Sequence, residues 1–338
     1  MLDIATIEKY DLQKMYKVYD RWPEIARESF EFDHKLIPFD NIKHIVFAGM
    51  GGSGAIGDIF TAILSKTNLH VTVVKGYTLP KTVSNETLVI TTSISGNTVE
   101  TITVLEEAFK KNCKIIACSS GGIMEEFCRK NNIVFRKIKK IHSPRASFAI
   151  FLYTMLKILK HILPITLDEI NESLIKLEEL SKKINSNNLS DSNPSLKLAM
   201  WIKGIPIIYY PFGFQSVATR FKNSLQENAK THAVIEDIIE ASHNGIVAWE
   251  RKSDFQPILL QGKNDYITTK ERWGVVKEYF QNNSITYWEN LSVEGNILSK
   301  IITLIYLYDY CSIYLAIKNN IDPSLVKSID FIKNKIKE

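Results

Sequence analysis

His44-Ile45-Val46-Phe47-Ala48-Gly49-Met50-Gly51-Gly52-Ser53-Gly54 decides how the chain is read. A short apolar run meets four glycines and one serine, and a helix-like pattern follows. Strand, glycine turn and helix start together describe an anion cradle. Glycines let the backbone approach a ligand closely, and the amides of a helix start point at it. The anion such a cradle usually holds is a phosphate. The plainer alternative is a tight turn with no ligand, against which the glycine density argues. No Gly-Lys-Ser/Thr is present, so this is not a nucleoside-triphosphate P-loop. Gly49, Gly51 and Gly54 fit G-x-G-x-x-G, but a dinucleotide fold ends its second strand in an acid that holds the ribose. Here His70-Val71-Thr72-Val73-Val74-Lys75-Gly76 ends in lysine, which counts against a nucleotide.

Outward from that stretch, strand patterns at 45–48, 70–75, 88–92, 114–118 and 133–136 alternate with helix patterns at 55–65, 98–112 and 124–131. The alternation predicts an α/β fold with a parallel sheet, and nearly all-apolar strands predict helices on both faces. A second loop ends the third strand, Thr91-Thr92-Ser93-Ile94-Ser95-Gly96-Asn97-Thr98. Asn97 is expected to cap the following helix, with Glu100 completing a capping box. That leaves Ser93, Ser95 and Thr98 unexplained, and hydroxyls beside a glycine at a helix start suit a phosphate monoester. Both loops fall at carboxyl ends of strands, where open parallel sheets bind ligands.

Long helices are expected at 145–163 and 166–184, then a polar loop at 185–194. A second alternation follows, with strands at 206–210, 257–261 and 285–288 and helices at 214–229, 270–280, 293–319 and 323–337. Its loop Pro211-Phe212-Gly213-Phe214-Gln215 lacks the Gly-Ser density, so one phosphate site per chain is expected, in the first lobe.

A chain of 338 residues suggests two domains. The net charge of +5 comes from scattered lysines, with no basic face interleaved with aromatics, so no nucleic-acid partner is expected. Cys113, Cys118, Cys128 and Cys311 form no C-x-x-C pair. They read as free thiols in a reducing cytoplasm, and no metal site is expected. Met1-Leu2-Asp3-Ile4-Ala5-Thr6 does not read as a signal peptide. The longest apolar tract, 301–317, is broken by Asp309 and predicts a buried core helix with no membrane role.

Further motifs occur in a telling order: Gly51-Gly52-Ser53-Gly54, Ser93-x-Ser95-Gly96-Asn97-Thr98, Ser143-Pro144-Arg145, Glu227-Asn228-Ala229-Lys230 and His243-Asn244, closing with Asp322-Pro323 and Ile329-Asp330-Phe331-Ile332-Lys333. Over nearly its full length the chain resembles the bifunctional phosphoglucose/phosphomannose isomerases, built from two sugar-isomerase (SIS) domains. The resemblance implies two αβα sandwiches, residues 1–155 binding phosphate and residues 156–338 contributing catalytic Glu, His and Lys. It implies that Gly51, Gly52, Ser53, Ser93, Ser95 and Thr98 hold the 6-phosphate of a hexose. Glu227 would move a proton between C1 and C2, and Arg145 would stabilise the enediolate. His243 and Lys333 would assist ring opening. No metal or redox cofactor is implied, and the expected assembly is a cytoplasmic homodimer with His243 reaching into the neighbour's site. Gly245 departs from the family, which usually has Glu directly after His-Asn, so ring opening is expected to be slower or organised differently.

The residues give partial support of their own. Glu227 stands near a helix C-terminus, where the dipole disfavours ionisation, and partial burial would raise its pKa further. An exposed glutamate in a fraying turn fits as well. Arg145 opens an apolar helix, where a cation is misplaced unless an anion lies nearby. In the last helix Ile329, Ile332 and Ile336 read as a buried face that Lys333 shares, and a snorkelling lysine is the alternative. His243 lies in a polar turn and reads equally as a surface histidine. Two other functions stay open: isomerisation of another sugar phosphate, and a non-catalytic SIS module that senses a sugar phosphate for a partner protein.

Overall fold

A computed structural model describes residues 2–34 and 39–336. The chain falls into two compact units, and neither is continuous in sequence. The first is Arg21–Leu167 joined by the segment from Val326, and the second is the stretch up to Asp20 joined by Asp168–Leu325. The sequence-based division drew one cut after residue 155. The difference has a physical origin in the N-terminal helices α1 (Ile4–Tyr10) and α2 (Met15–Asp20), which bury Ile7, Met15, Tyr16 and Tyr19 within the second unit.

In the first unit α3 (Trp22–Glu31) precedes β1 (His44–Ala48), α4 (Gly51–Leu64), β2 (His70–Val74), β3 (Leu88–Ser93), α5 (Val99–Lys110), β4 (Lys114–Ser119), α6 (Gly122–Lys130), β5 (Val134–Lys137) and α7 (Phe148–Leu159). The five strands are all parallel, in the order β2-β1-β3-β4-β5. On one face Val46, Ala48 and Val89 pack with Val104, Leu105, Met124 and Cys128 of α5 and α6. On the other, Phe47 stacks on Phe60 of α4 at 4.8 Å. The order reverses at β1 and β3, so the loops that follow them flank the switch point where an open sheet has its crevice.

The second unit continues with α8 (Leu167–Ile184), α9 (Pro194–Trp201), β6 (Ile205–Tyr210), α10 (Gln215–Ala229), β7 (Val234–Asp237), α11 (Ile238–Ala241), β8 (Phe255–Gln261), α12 (Ile267–Asn282), β9 (Trp288–Leu291) and α13 (Ile297–Lys318). Its four strands are also parallel, in the order β7-β6-β8-β9. β7 is absent from the sequence reading because four half-exposed residues with two acids carry almost no strand signal. The strand expected at 285–288 is β9, three residues later, because the Ile285 amide closes the end of α12 on the Phe280 carbonyl.

α13 is long and apolar enough to cross a membrane by length and composition, and 94% of that window is buried in the fold. Asp309 at its centre is fully buried and pairs with Arg220 of α10 at 2.6 Å. Ser224 and Tyr19 hydroxyls also donate to that carboxylate, so the charge is satisfied. The chain ends in α14 (Lys327–Ile336).

Candidate active site

The glycine stretch folds as its composition demands. Helix α4 begins at Gly51, four residues earlier than its apolar pattern suggests, and Gly51 takes a left-handed φ of +51°. Gly49 lies where a Cβ would stand 2.8 Å from the Thr92 carbonyl oxygen, so the first loop is pressed against the end of β3. Only the absence of a side chain permits that approach. Ser53 is buried in the first turn of α4, and its amide folds back onto the Met50 carbonyl at 3.0 Å. Lys75, where a nucleotide fold would carry its ribose acid, is committed to Asp58 of α4 at 2.5 Å.

The second loop is a web of hydroxyls. Ser93 Oγ lies 2.9 Å from Thr98 Oγ1 and 3.5 Å from Ser95 Oγ, and it accepts the Gly96 amide at 3.0 Å. Ser95 Oγ accepts the Asn97 amide at 3.3 Å. Ser93 is buried, whereas Ser95 is exposed. Gly96 has φ +77°, and a Cβ there would overlap the Gly121 carbonyl. The expected capping box does not form. Thr98 takes the N-cap position without a side-chain bond to the amides of α5, and Glu100 Oε2 is buried with no hydrogen-bond partner among the described residues. Asn97 instead accepts the Ile123 amide at 3.0 Å, so it caps α6.

Arg145 is 5% exposed and stands three residues before α7, in a turn rather than in the helix itself. Ser147 closes this turn: its hydroxyl donates to the Ser143 carbonyl at 2.9 Å and its amide reaches the same oxygen at 3.0 Å. Trp22 bonds the neighbouring Ala146 carbonyl at 3.1 Å. The guanidinium is therefore carried on a rigid bend of the first unit.

The face assigned to Lys333 is not buried. Ile329, Ile332 and Ile336 are 38%, 56% and 56% exposed, and α14 buries none of its described side chains. An i, i+3, i+7 stripe records amphipathicity, and nothing among the described residues covers it. Lys333 therefore does not stand on a core-facing stripe.

In the second unit, Glu227 lies half-buried in the last turn of α10. Its motif neighbours have structural tasks. Asn228 donates to Ser312 Oγ of α13 at 2.9 Å, and Ala229 is buried. Lys230 ends the helix at φ +54°, and its ammonium reaches the carbonyls of Glu227 and Leu325, each at 2.6 Å. His243 is exposed in the turn after α11, its amide bonded to the Glu240 carbonyl at 2.9 Å.

Two parallel αβα sandwiches with hydroxyl-rich loops at one switch point define a double SIS-domain protein. The SIS-domain family model matches residues 39–157, and the model for the bacterial phospho-glucose isomerase C-terminal SIS domain matches residues 191–336. A solved hypothetical protein from Thermus thermophilus shares the fold with a TM-score of 0.71 at 13% identity, covering 99% of this chain and 89% of that one. A bifunctional phosphoglucose/phosphomannose isomerase of Caldicellulosiruptor bescii is 31% identical over 96% of this chain and 99% of its own. Its counterpart in Aquifex aeolicus is 30% identical over 97% and 99%. The chain belongs to the bifunctional phosphoglucose/phosphomannose isomerase family.

Proposed function

We propose that the protein is an aldose–ketose isomerase that interconverts glucose 6-phosphate and mannose 6-phosphate with fructose 6-phosphate. The hydroxyl web of Ser93, Ser95 and Thr98 beside the first turn of α4 carries this reading. Those groups, with Ser53 and the amides near Gly51 and Gly52, hold the 6-phosphate. Glu227 takes the proton from one of C1 and C2 and returns it to the other. Arg145 balances the charge of the enediolate. His243 and Lys333 move protons on and off the ring oxygen and anomeric hydroxyl during ring opening. The protein acts as a homodimer in which His243 serves the partner's site.

Both aldoses follow from one intermediate. Proton loss from C1 of the ketose gives a cis-enediol in which C2 has no configuration. Protonation on one face gives glucose 6-phosphate, and on the other mannose 6-phosphate. No step needs a metal, because proton transfer alone connects the three sugars. Purified protein incubated with fructose 6-phosphate and EDTA should form both aldose phosphates. Binding without turnover would instead mark a sugar-phosphate sensor.

A further inference from the structure

Glu236 near the end of β7 sets its carboxylate directly against Gly245. A methyl group at residue 245 would stand 2.6 Å from Oε2 and nearer still to Oε1. The carboxylate thus fills the volume that a side chain at 245 would need. Gly245 directly follows His243 and Asn244, and the rest of that turn is tied to Glu240. The Glu240 carbonyl accepts the His243 amide at 2.9 Å, and its carboxylate accepts Asn244 Nδ2 at 2.7 Å. Asn244 Oδ1 in turn accepts the Gly245 amide at 2.5 Å. An exposed imidazole is therefore carried on a turn bonded to Glu240 and packed against Glu236.

We propose that Glu236 is a positioning residue for His243, packed into the room left at Gly245 so that the turn presents the imidazole for ring opening. An acid on residue 245 itself would occupy the same volume; here β7 supplies the carboxylate. The inference rests on the isomerase reading and on the part given there to His243.

A ketose that cannot close a ring separates positioning from general damage. Fructose 6-phosphate must open before C1 can lose its proton, whereas 5-deoxyfructose 6-phosphate lacks the hydroxyl that closes the furanose. We expect Glu236→Ala, which empties the space beside Gly245, to lower kcat/KM for fructose 6-phosphate by about tenfold or more, with the rate on the 5-deoxy ketose unchanged and with the equally sized Glu236→Gln keeping the wild-type value. Gly245→Ala, which displaces the carboxylate but keeps its charge, should show the same selective loss. Equal losses on both ketoses in Glu236→Ala and Gly245→Ala, or no loss on either, overturn the proposal while leaving the isomerase reading intact. Wild-type protein that converts neither ketose overturns both.

Discussion

Ser95 and Ser93 show how two hydroxyls two residues apart take different work. Ser93 is buried and already engaged by Gly96 and Thr98, so its part in the proposed phosphate grip also shapes the loop. Ser95 is exposed, with a 3.3 Å bond from the Asn97 amide and a 3.5 Å contact to Ser93 Oγ. A hydrogen bond to a charged oxyanion is worth about 1.5–3 kcal/mol. Ser95→Ala should therefore raise KM for fructose 6-phosphate by about tenfold to a hundredfold, with kcat and melting temperature little changed. Steady-state kinetics decide it, and an unchanged KM would make the second loop structural. At this scale the sequence was legible where chemistry is local. Gly49 and Gly96 occupy positions a side chain would obstruct, and Lys75 stands where an acid would signal a nucleotide. Asn97 misled because N-x-x-E is a local pattern, whereas its partner on α6 arrives through the fold.

Among the elements, the β1 and β3 loops owe their meeting to strand order. Apolar runs announce each strand, but no run announces the order β2-β1-β3. β7 escaped notice because it is short and acidic, and α14 was misjudged because an amphipathic stripe does not say what covers it. The α13 pattern succeeded because Asp309 interrupts an otherwise apolar run and finds a buried arginine. Asn97 gives this scale its prediction. Asn97→Ala removes the acceptor for the first-turn amide of α6, and losing such a cap costs about 1 kcal/mol. Chemical denaturation should show a loss of that size, together with a higher KM as the Ser95–Gly96 loop loosens. Unchanged stability would mean that the Asn97–Ile123 bond contributes nothing.

For the molecule as a whole, proposed phosphate recognition and proton transfer belong to different parts of the chain. The hydroxyl loops lie in the unit that holds β1 and β3, and Glu227 lies at the end of α10 in the unit that holds β6. Asn228, Ala229 and Lys230 fasten that helix end to its own unit, and Glu227 is the member of the motif proposed as the base. Replacing its carboxylate by an amide keeps shape and removes the base. Glu227→Gln should bind fructose 6-phosphate with near wild-type affinity by calorimetry while losing about a thousandfold or more in kcat, within the span expected for a general base. A variant that binds the sugar and keeps most of the wild-type rate would contradict the account.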